Sequence, residues 1–428
     1  MSAAKLTRRG LLASAAAGAL GATALGRSLT GVAGAKPPGP GGGAPFDHVV
    51  VVMMENRSFD HLLGWLPGAD GRQAGLKYPD RNGVLQPTYE LAPDYQGCGH
   101  PDPDHSYTGG RVEYDGGRCD GWLRAGANDK YAIGYYTRKD LAFFGSAVPQ
   151  WSTFSRYFAA ILSETYPNRI YQHAAQTDRI SNTTDLCTLP TIWDRLADAG
   201  LSGRYYYSDV PFLALWGAKY VPLGRPFAAF LADCAAGTLP AVSFVDPRFL
   251  DENSGTSGDD HPHADIRGGQ AFMSQIYDAV TTSPNWSSTV LLFTYDEWGG
   301  FYDHVPPPLA PIPPATAAAG DRDGRRGFRI PTLLVSPFAR KQYVGTTVYD
   351  HTSVLKMIET RWGLPPLTIR DANANDLGRE LTATPDLRTP PRYAVPPGPF
   401  GAPCVPAPPV EEEWSPLKTL AAATGWTV

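Results

Sequence analysis

The chain has 428 residues, a formal net charge of −5 and 11% aromatic residues. That length carries one large α/β domain or two average ones. The charge gives no basis for a nucleic-acid partner, and the aromatic content argues against general disorder despite 45 glycines and 41 prolines.

Thr7-Arg8-Arg9-Gly10-Leu11-Leu12 sets paired arginines before the apolar stretch Leu11 to Leu25, and Ala33-Gly34-Ala35 offers a small-x-small cleavage site. Residues 1–35 therefore read as a twin-arginine export signal. Its apolar part is too short and too rich in Ala and Gly to span a bilayer. The expected partner is the twin-arginine export machinery, the expected location is secreted or cell-envelope, and the mature chain is expected to have no transmembrane helix. Residues 36–45 read as a flexible linker, 46–388 as one catalytic domain and 389–428 as a Pro-rich, loosely ordered tail.

Phe46-Asp47-His48-Val49-Val50-Val51-Val52-Met53-Met54 is a continuous apolar run that ends in Glu55 and Asn56. A short run without alternation predicts a strand covered on both faces, as in a parallel sheet. Ser58 to Leu63 reads as a helix start. Residues 66–140 read as a long irregular excursion over the active-site edge. Trp151 to Phe158 resumes regular structure, and Thr191 to Gly200 predicts an amphipathic helix with a glycine stop. Arg204 to Ser208 and Ala241 to Asp246 predict strands, the latter ending in Asp. Gly268 to Thr281 predicts a helix. Thr289 to Tyr295 repeats the first pattern, an apolar β-branched strand followed by Asp296 and Glu297. Residues 306–328 read as a surface loop or lid. Ile330 to Ser336 predicts a strand, and Asp350 begins a helix running to about Trp362. Strands alternating with helices predict a three-layer α/β/α sandwich with a mostly parallel central sheet.

Ligands of open parallel sheets bind beyond the carboxyl ends of the strands. Glu55, Asn56, Asp296 and Glu297 stand there, offering oxygen to one hard divalent cation, with Ca²⁺, Mg²⁺ or Mn²⁺ favoured and Zn²⁺ or Fe admitted if a histidine joins. Thr165, in Ser163-Glu164-Thr165-Tyr166-Pro167-Asn168-Arg169, reads either as an N-cap or as a nucleophile at a helix N-terminus. A cation beside it supplies the activation that a hydroxyl needs. His105, His261 and His304 lie in polar loops beside carboxylates, a setting that suits protonation of a leaving group. Five cysteines occur without metal-type spacing, and Cys98 with Cys119 is the nearest pair for a disulfide. The sequence contains no Gly-x-Ser-x-Gly, no Walker loop, no dinucleotide glycine fingerprint and no His-Glu-x-x-His.

Val51-Val52-Met53-Met54-Glu55-Asn56-Arg57-Ser58-Phe59-Asp60-His61 resembles the opening motif of the bacterial phosphoesterase family, which holds non-specific phospholipases C and acid phosphatases within the alkaline-phosphatase-like superfamily. Thr165 to Arg169 resembles that family's nucleophile segment. Tyr295-Asp296-Glu297-Trp298-Gly299-Gly300-Phe301-Tyr302-Asp303-His304-Val305 resembles its metal-binding segment, and the stretches from Arg329 and Asp350 resemble its later strand and helix. The resemblance implies an alkaline-phosphatase-like fold and a metal-dependent phosphoric ester hydrolase acting on a phospholipid or a small phosphate ester. It implies Glu55, Asn56, Asp296 and Glu297 as metal ligands, Thr165 as nucleophile and further ligand, His105 and His261 at the phosphoryl oxygens or leaving group, and His304 behind them. Trp298 departs from the family pattern and is expected to narrow the pocket or stack on substrate. A phospholipase C-type phosphodiesterase, an acid phosphatase-type phosphomonoesterase and a non-catalytic exported metal-binding protein all remain open from the sequence.

Overall fold

The apolar run of the N-terminal region forms strand β1 (His48–Met54). Val49 to Val52 are wholly inaccessible, so each side chain contributes roughly 1.5–2 kcal/mol through burial. The computed structural model describes residues 45–252, 254–405 and 413–428. The export-signal reading and nearly all of the linker lie outside the described residues.

Eight strands form the central sheet: β1, β2 (Ser152–Phe154), β3 (Gly203–Tyr207), β4 (Gly224–Pro226), β5 (Val242–Asp246), β6 (Thr289–Tyr295), β7 (Thr332–Val335) and β8 (Tyr343–Gly345). Their order is β8-β2-β7-β6-β1-β5-β3-β4. β1 lies between β5 and β6 and runs parallel to both. Only β7 runs against the rest, pairing antiparallel with β6 and β2. Pro331 precedes β7, where its missing N–H costs no ladder bond.

Helices cover both faces. Helices α1 (Phe59–Leu63) and α2 (Tyr107–Tyr114) sit in the loops beyond β1, and α3 (Thr165–Ala174), α4 (Ile192–Asp198), α5 (Phe227–Ala236), α6 (Ile266–Thr281) and α7 (His351–Trp362) follow. Phe293 of β6 meets Phe143, which also meets Tyr277 of α6. Phe244 of β5 meets His173 of α3. Val52 pairs with both Phe293 and Val245, so Phe244 points to the opposite face and the two helices sandwich the sheet. The architecture is the three-layer α/β/α sandwich that the alternation predicted.

The C-terminal part differs from its expectation. Residues 414–423 form a helix, α8 (Trp414–Ala423), not a loose tail. Trp414 is fully buried and stacks on Phe249 with ring centroids 3.7 Å apart. Two large indoles, Trp414 and Trp426, outweigh the proline content of the preceding stretch by burying apolar area. The disulfide also differs. Cys98 bonds Cys404, 306 residues away, and Cys119 is a buried free thiol. The chain folds back so that Gln96 donates to the carbonyls of Gly255 and Ala402, which brings Cys404 beside Cys98. Residues 306–328 carry a short helix, Pro314–Ala319. Among the described residues no helix is long and apolar enough to cross a membrane.

Candidate active site

Three adjacent parallel strands deliver acid or amide side chains to one edge. Met54 pairs with Tyr295, so Glu55 and Asn56 leave β1 beside Asp296 and Glu297 leaving β6. Asp246 ends β5 on the other side. Asn56 takes a left-handed backbone, φ 53°, which short polar side chains tolerate better than most. The opposing turn needs glycine. Gly299 has φ 62°, and a Cβ there would lie 2.1 Å from the Asn56 carbonyl oxygen. Two backbone N–H groups, of Asn56 and Glu297, donate to Asp296 Oδ1 at 3.1 and 2.7 Å. Gly299 N–H donates to Glu297 Oε2 at 2.7 Å. Each acid therefore has one oxygen fixed by the backbone.

Helix α3 supplies the next layer. Glu164 occupies the N-cap position and Thr165 the first helical position, so Thr165 is not the cap. Its hydroxyl donates to Glu55 Oε2 at 3.3 Å. Residues four apart share a helix face, so Arg169 joins Thr165 at the strand ends. Arg169 Nε donates to Glu55 Oε1 at 2.7 Å, Nη1 lies 3.1 Å from Asp246 Oδ1, and Nε lies 3.5 Å from Asp296 Oδ2. Glu55, Asp246 and Asp296 thus face a single guanidinium, with Glu297 beside them, and all four acids are at least 95% inaccessible. Burial raises the Glu55 and Glu297 carboxyls well above their ordinary values, against the pull of Arg169 and His105 respectively.

Three oxygens at this point are buried without a hydrogen-bond partner: Asn56 Oδ1, Asp296 Oδ2 and Glu297 Oε1. Buried polar atoms are nearly always paired. An excess of hard oxygen donors carrying surplus negative charge fits a divalent cation. Two overlapping groups with ligand atoms within 4.8 Å of one another adjoin, Glu55 with His261 and Glu413, and Glu252 with Asp259 and His261.

The structure brings Glu55, Asn56, Thr165, Asp296 and Glu297 together. It brings His261 to the same place, with Nε2 3.2 Å from Asn56 Nδ2 and Nδ1 3.1 Å from Glu252 Oε2. His105 lines the adjoining cavity of about 700 Å³ together with His261, Glu252 and Glu413. Its Nδ1 lies 2.8 Å from the Pro103 carbonyl. Burial works against its charged form, but Glu297, Asp102, Glu413 and Glu164 outweigh that and push its pKa up to about 10. His304 is placed elsewhere. Its partners are Asp60, Asp70 and Arg329, in an ion-pair network that also holds Asp303. Trp298 faces the core, not the cavity. It is fully buried, donates to Glu113 at 2.7 Å and packs on Phe328, because the glycines after it turn the chain inward.

Sequence reasoning did not single out Arg169, Glu252, Asp259 or Glu413 as site residues. Arg169 carried a signal, being four residues past Thr165. Asp246 carried one too, as a strand-end acid. Glu413 carried none.

Residues 46–365 match the model of the phosphoesterase family. Non-specific phospholipase C1 of Arabidopsis thaliana is 32% identical, over 77% of this chain and 69% of its own. Phospholipase C A of Mycobacterium tuberculosis is 28% identical, over 84% of this chain and 81% of its own. Among solved structures, a protein of the alkaline phosphatase superfamily from Vibrio parahaemolyticus aligns with 78% of this chain and 72% of its own, at 10% identity and a TM-score of 0.38. The chain is a phosphoric ester hydrolase. It belongs to the phosphoesterase family.

Proposed function

We propose that this protein is an exported, metal-dependent phosphodiesterase of the phospholipase C type with Thr165 as nucleophile. The observation that carries the reading is the contact of the Thr165 hydroxyl with Glu55, beside three buried oxygens that lack partners. Glu55, Asn56, Asp296 and Glu297 would hold the cation. When bound, it supplies positive charge that lowers the hydroxyl pKa and stabilises the phosphoryl oxygens. Thr165 Oγ1 attacks phosphorus and its proton moves toward Glu55 Oε2, the acceptor within reach. The bond from phosphorus to the departing alcohol breaks. His105, held charged by its acidic neighbours, gives that alcohol a proton. His261 contacts a phosphoryl oxygen, and the positive N-terminal end of the α3 dipole favours the anion. Water then cleaves the phosphothreonine ester and releases the phosphorylated headgroup. The Cys98–Cys404 disulfide supports export, since such bonds persist in oxidising compartments.

The test is Thr165→Ala in the purified protein. Losing the nucleophile is expected to lower turnover of a p-nitrophenyl phosphodiester by at least about 10³-fold with the melting temperature unchanged. Turnover near that of the parent protein would eliminate Thr165 from this role.

A further inference from the structure

We propose that Glu113, on helix α2, is a positioning residue that fixes where His105 stands relative to the strand-end acids. The inference rests on the reading above in which His105 protonates the departing alcohol, and it concerns that same site.

Glu113 is wholly buried and takes no part in the steps described above. Its carboxyl joins two segments that are far apart in the sequence. Trp298, the residue after Glu297, donates its indole N–H to Glu113 Oε2 at 2.7 Å. Asn128 donates its amide to Glu113 Oε1 at 3.4 Å. Asn128 Oδ1 in turn accepts from the Asp104 N–H at 2.6 Å, and His105 follows Asp104. A chain of hydrogen bonds therefore runs from the residue after Glu297 to the residue before His105, with Glu113 at its centre. Trp298 gains a role from this: it is an anchor for the acid and not a wall of the pocket.

Helix α2 is also pressed against the segment that carries the nucleophile. At Gly110 a Cβ would lie 2.9 Å from the Trp298 ring and 3.0 Å from the side chain of Leu162, which stands three residues before Thr165. Glycine admits that approach. Arg111 Nη1 donates to the Leu162 carbonyl at 3.0 Å. Ser106 caps the helix by accepting from the Gly109 N–H at 3.0 Å, and His105 directly precedes that cap. The placement of His105 thus follows the placement of α2. A general acid must stand within hydrogen-bond reach of the leaving oxygen, and a displacement of about 1 Å costs about 10²-fold. The cost falls mainly on poor leaving groups, because a weakly acidic alcohol departs only as it receives a proton.

The experiment uses the full chain and two diesters, p-nitrophenyl methyl phosphate and phenyl methyl phosphate. They differ in the leaving alcohol alone, and phenol is the poorer of the two. Glu113→Leu is expected to raise the p-nitrophenyl-to-phenyl ratio of kcat/KM about tenfold over the parent's. Burial raises the Glu113 carboxyl well above its ordinary value, against the pull of Trp298, so glutamine copies both its charge and its shape. Glu113→Gln is accordingly expected to keep the parent ratio. A loosened fold would slow both esters alike, so equal loss on the two esters in Glu113→Leu, or no loss, would overturn the inference. Where the melting temperature shows that Glu113→Leu does not fold, Asn128→Ala decides by the same ratio, since it cuts the chain on the His105 side and leaves Trp298 in place. His105→Ala is the reference. An unchanged ratio in His105→Ala would sink the acid role of His105, and with it the reading beneath the inference. A raised ratio in His105→Ala beside a parental ratio in Glu113→Leu would sink the inference alone.

Discussion

Arg169 holds the protein's most concentrated charge balance. The residue is 1% exposed, and its guanidinium meets Glu55, Asp246 and Asp296 at once. Three negative groups against one positive group leave the cluster short of cation, so removal of the guanidinium exposes every pair. Removing one partner of a buried ion pair costs about 3–5 kcal/mol. Arg169→Met is therefore expected to lose at least that much stability, seen as a lower urea midpoint at unchanged slope. Arg169→Lys is expected to recover only part, because an ammonium lacks the fork that reaches two carboxylates together. A midpoint within experimental error of the parent's for Arg169→Met would show that bound cation or solvent, not Arg169, balances these acids. The residue lies within a segment whose chemistry is visible in sequence, yet its role is not. The spacing of four from Thr165 puts Arg169 on the same helix face, but the acids it meets are set by the sheet edge, which no local pattern shows.

Helix α7 shows what an element's first residue contributes. Asp350 caps it, accepting from Thr352 N–H at 2.8 Å, and also meets Arg370 at 2.9 Å and Arg326. Burial alone would raise its pKa, but Arg370 and Arg326 reverse that and hold the carboxyl well below the usual carboxylate range. A depressed folded pKa gives stability that is present above the unfolded value, about 3.9, and is lost as pH falls below it. Asp350→Asn is expected to cost about 3–5 kcal/mol at pH 7, combining the unpaired arginines with a weakened cap. It is also expected to flatten the decline in stability below about pH 4. Denaturant unfolding of both proteins at pH 3, 4 and 7 reads this directly, and parallel pH curves would refute it. The helix itself is legible in sequence because Asp350 and Gly363 bracket an apolar period. β1 and β6 are legible for a similar reason: both are unbroken apolar runs that end in acids, and a strand buried on both faces requires such runs. The ion pairs of Asp350 are not legible, since Arg326 comes from a loop and Arg370 from a short helix, Ile369–Ala372, whose placement no local pattern sets. His304 misleads for the same reason, because it follows the Glu297 motif closely and yet turns toward Asp60.

At the scale of the whole molecule, the chain's two ends of information are joined by contacts that sequence distance hides. Cys404 and Glu413 both lie in a stretch whose composition suggests disorder, yet Cys404 bonds Cys98 and Glu413 enters the catalytic edge. Proline content predicts the absence of regular structure, and it says nothing about where an extended segment is tied. The covalent tie closes a loop of 306 residues, and a loop of that length constrains the unfolded chain by about 5–6 kcal/mol in the chain-entropy picture. Cys98→Ser with Cys404→Ser is expected to lower unfolding free energy by about that amount while leaving turnover intact under native conditions, because Glu413 has its own anchors in Tyr166 and Trp414. Thiol counting supplies the check on pairing. Burial pushes the Cys119, Cys187 and Cys234 thiols up to about 12, so none of these is expected to react with an aromatic disulfide reagent in the folded protein. Unfolding without reductant is expected to release three reactive thiols in both the parent and the double variant, matching the three free cysteines. Five thiols in the unreduced parent would mean that the strap is untied. The stability difference between parent and variant would then have to vanish as well, so the two measurements stand or fall together.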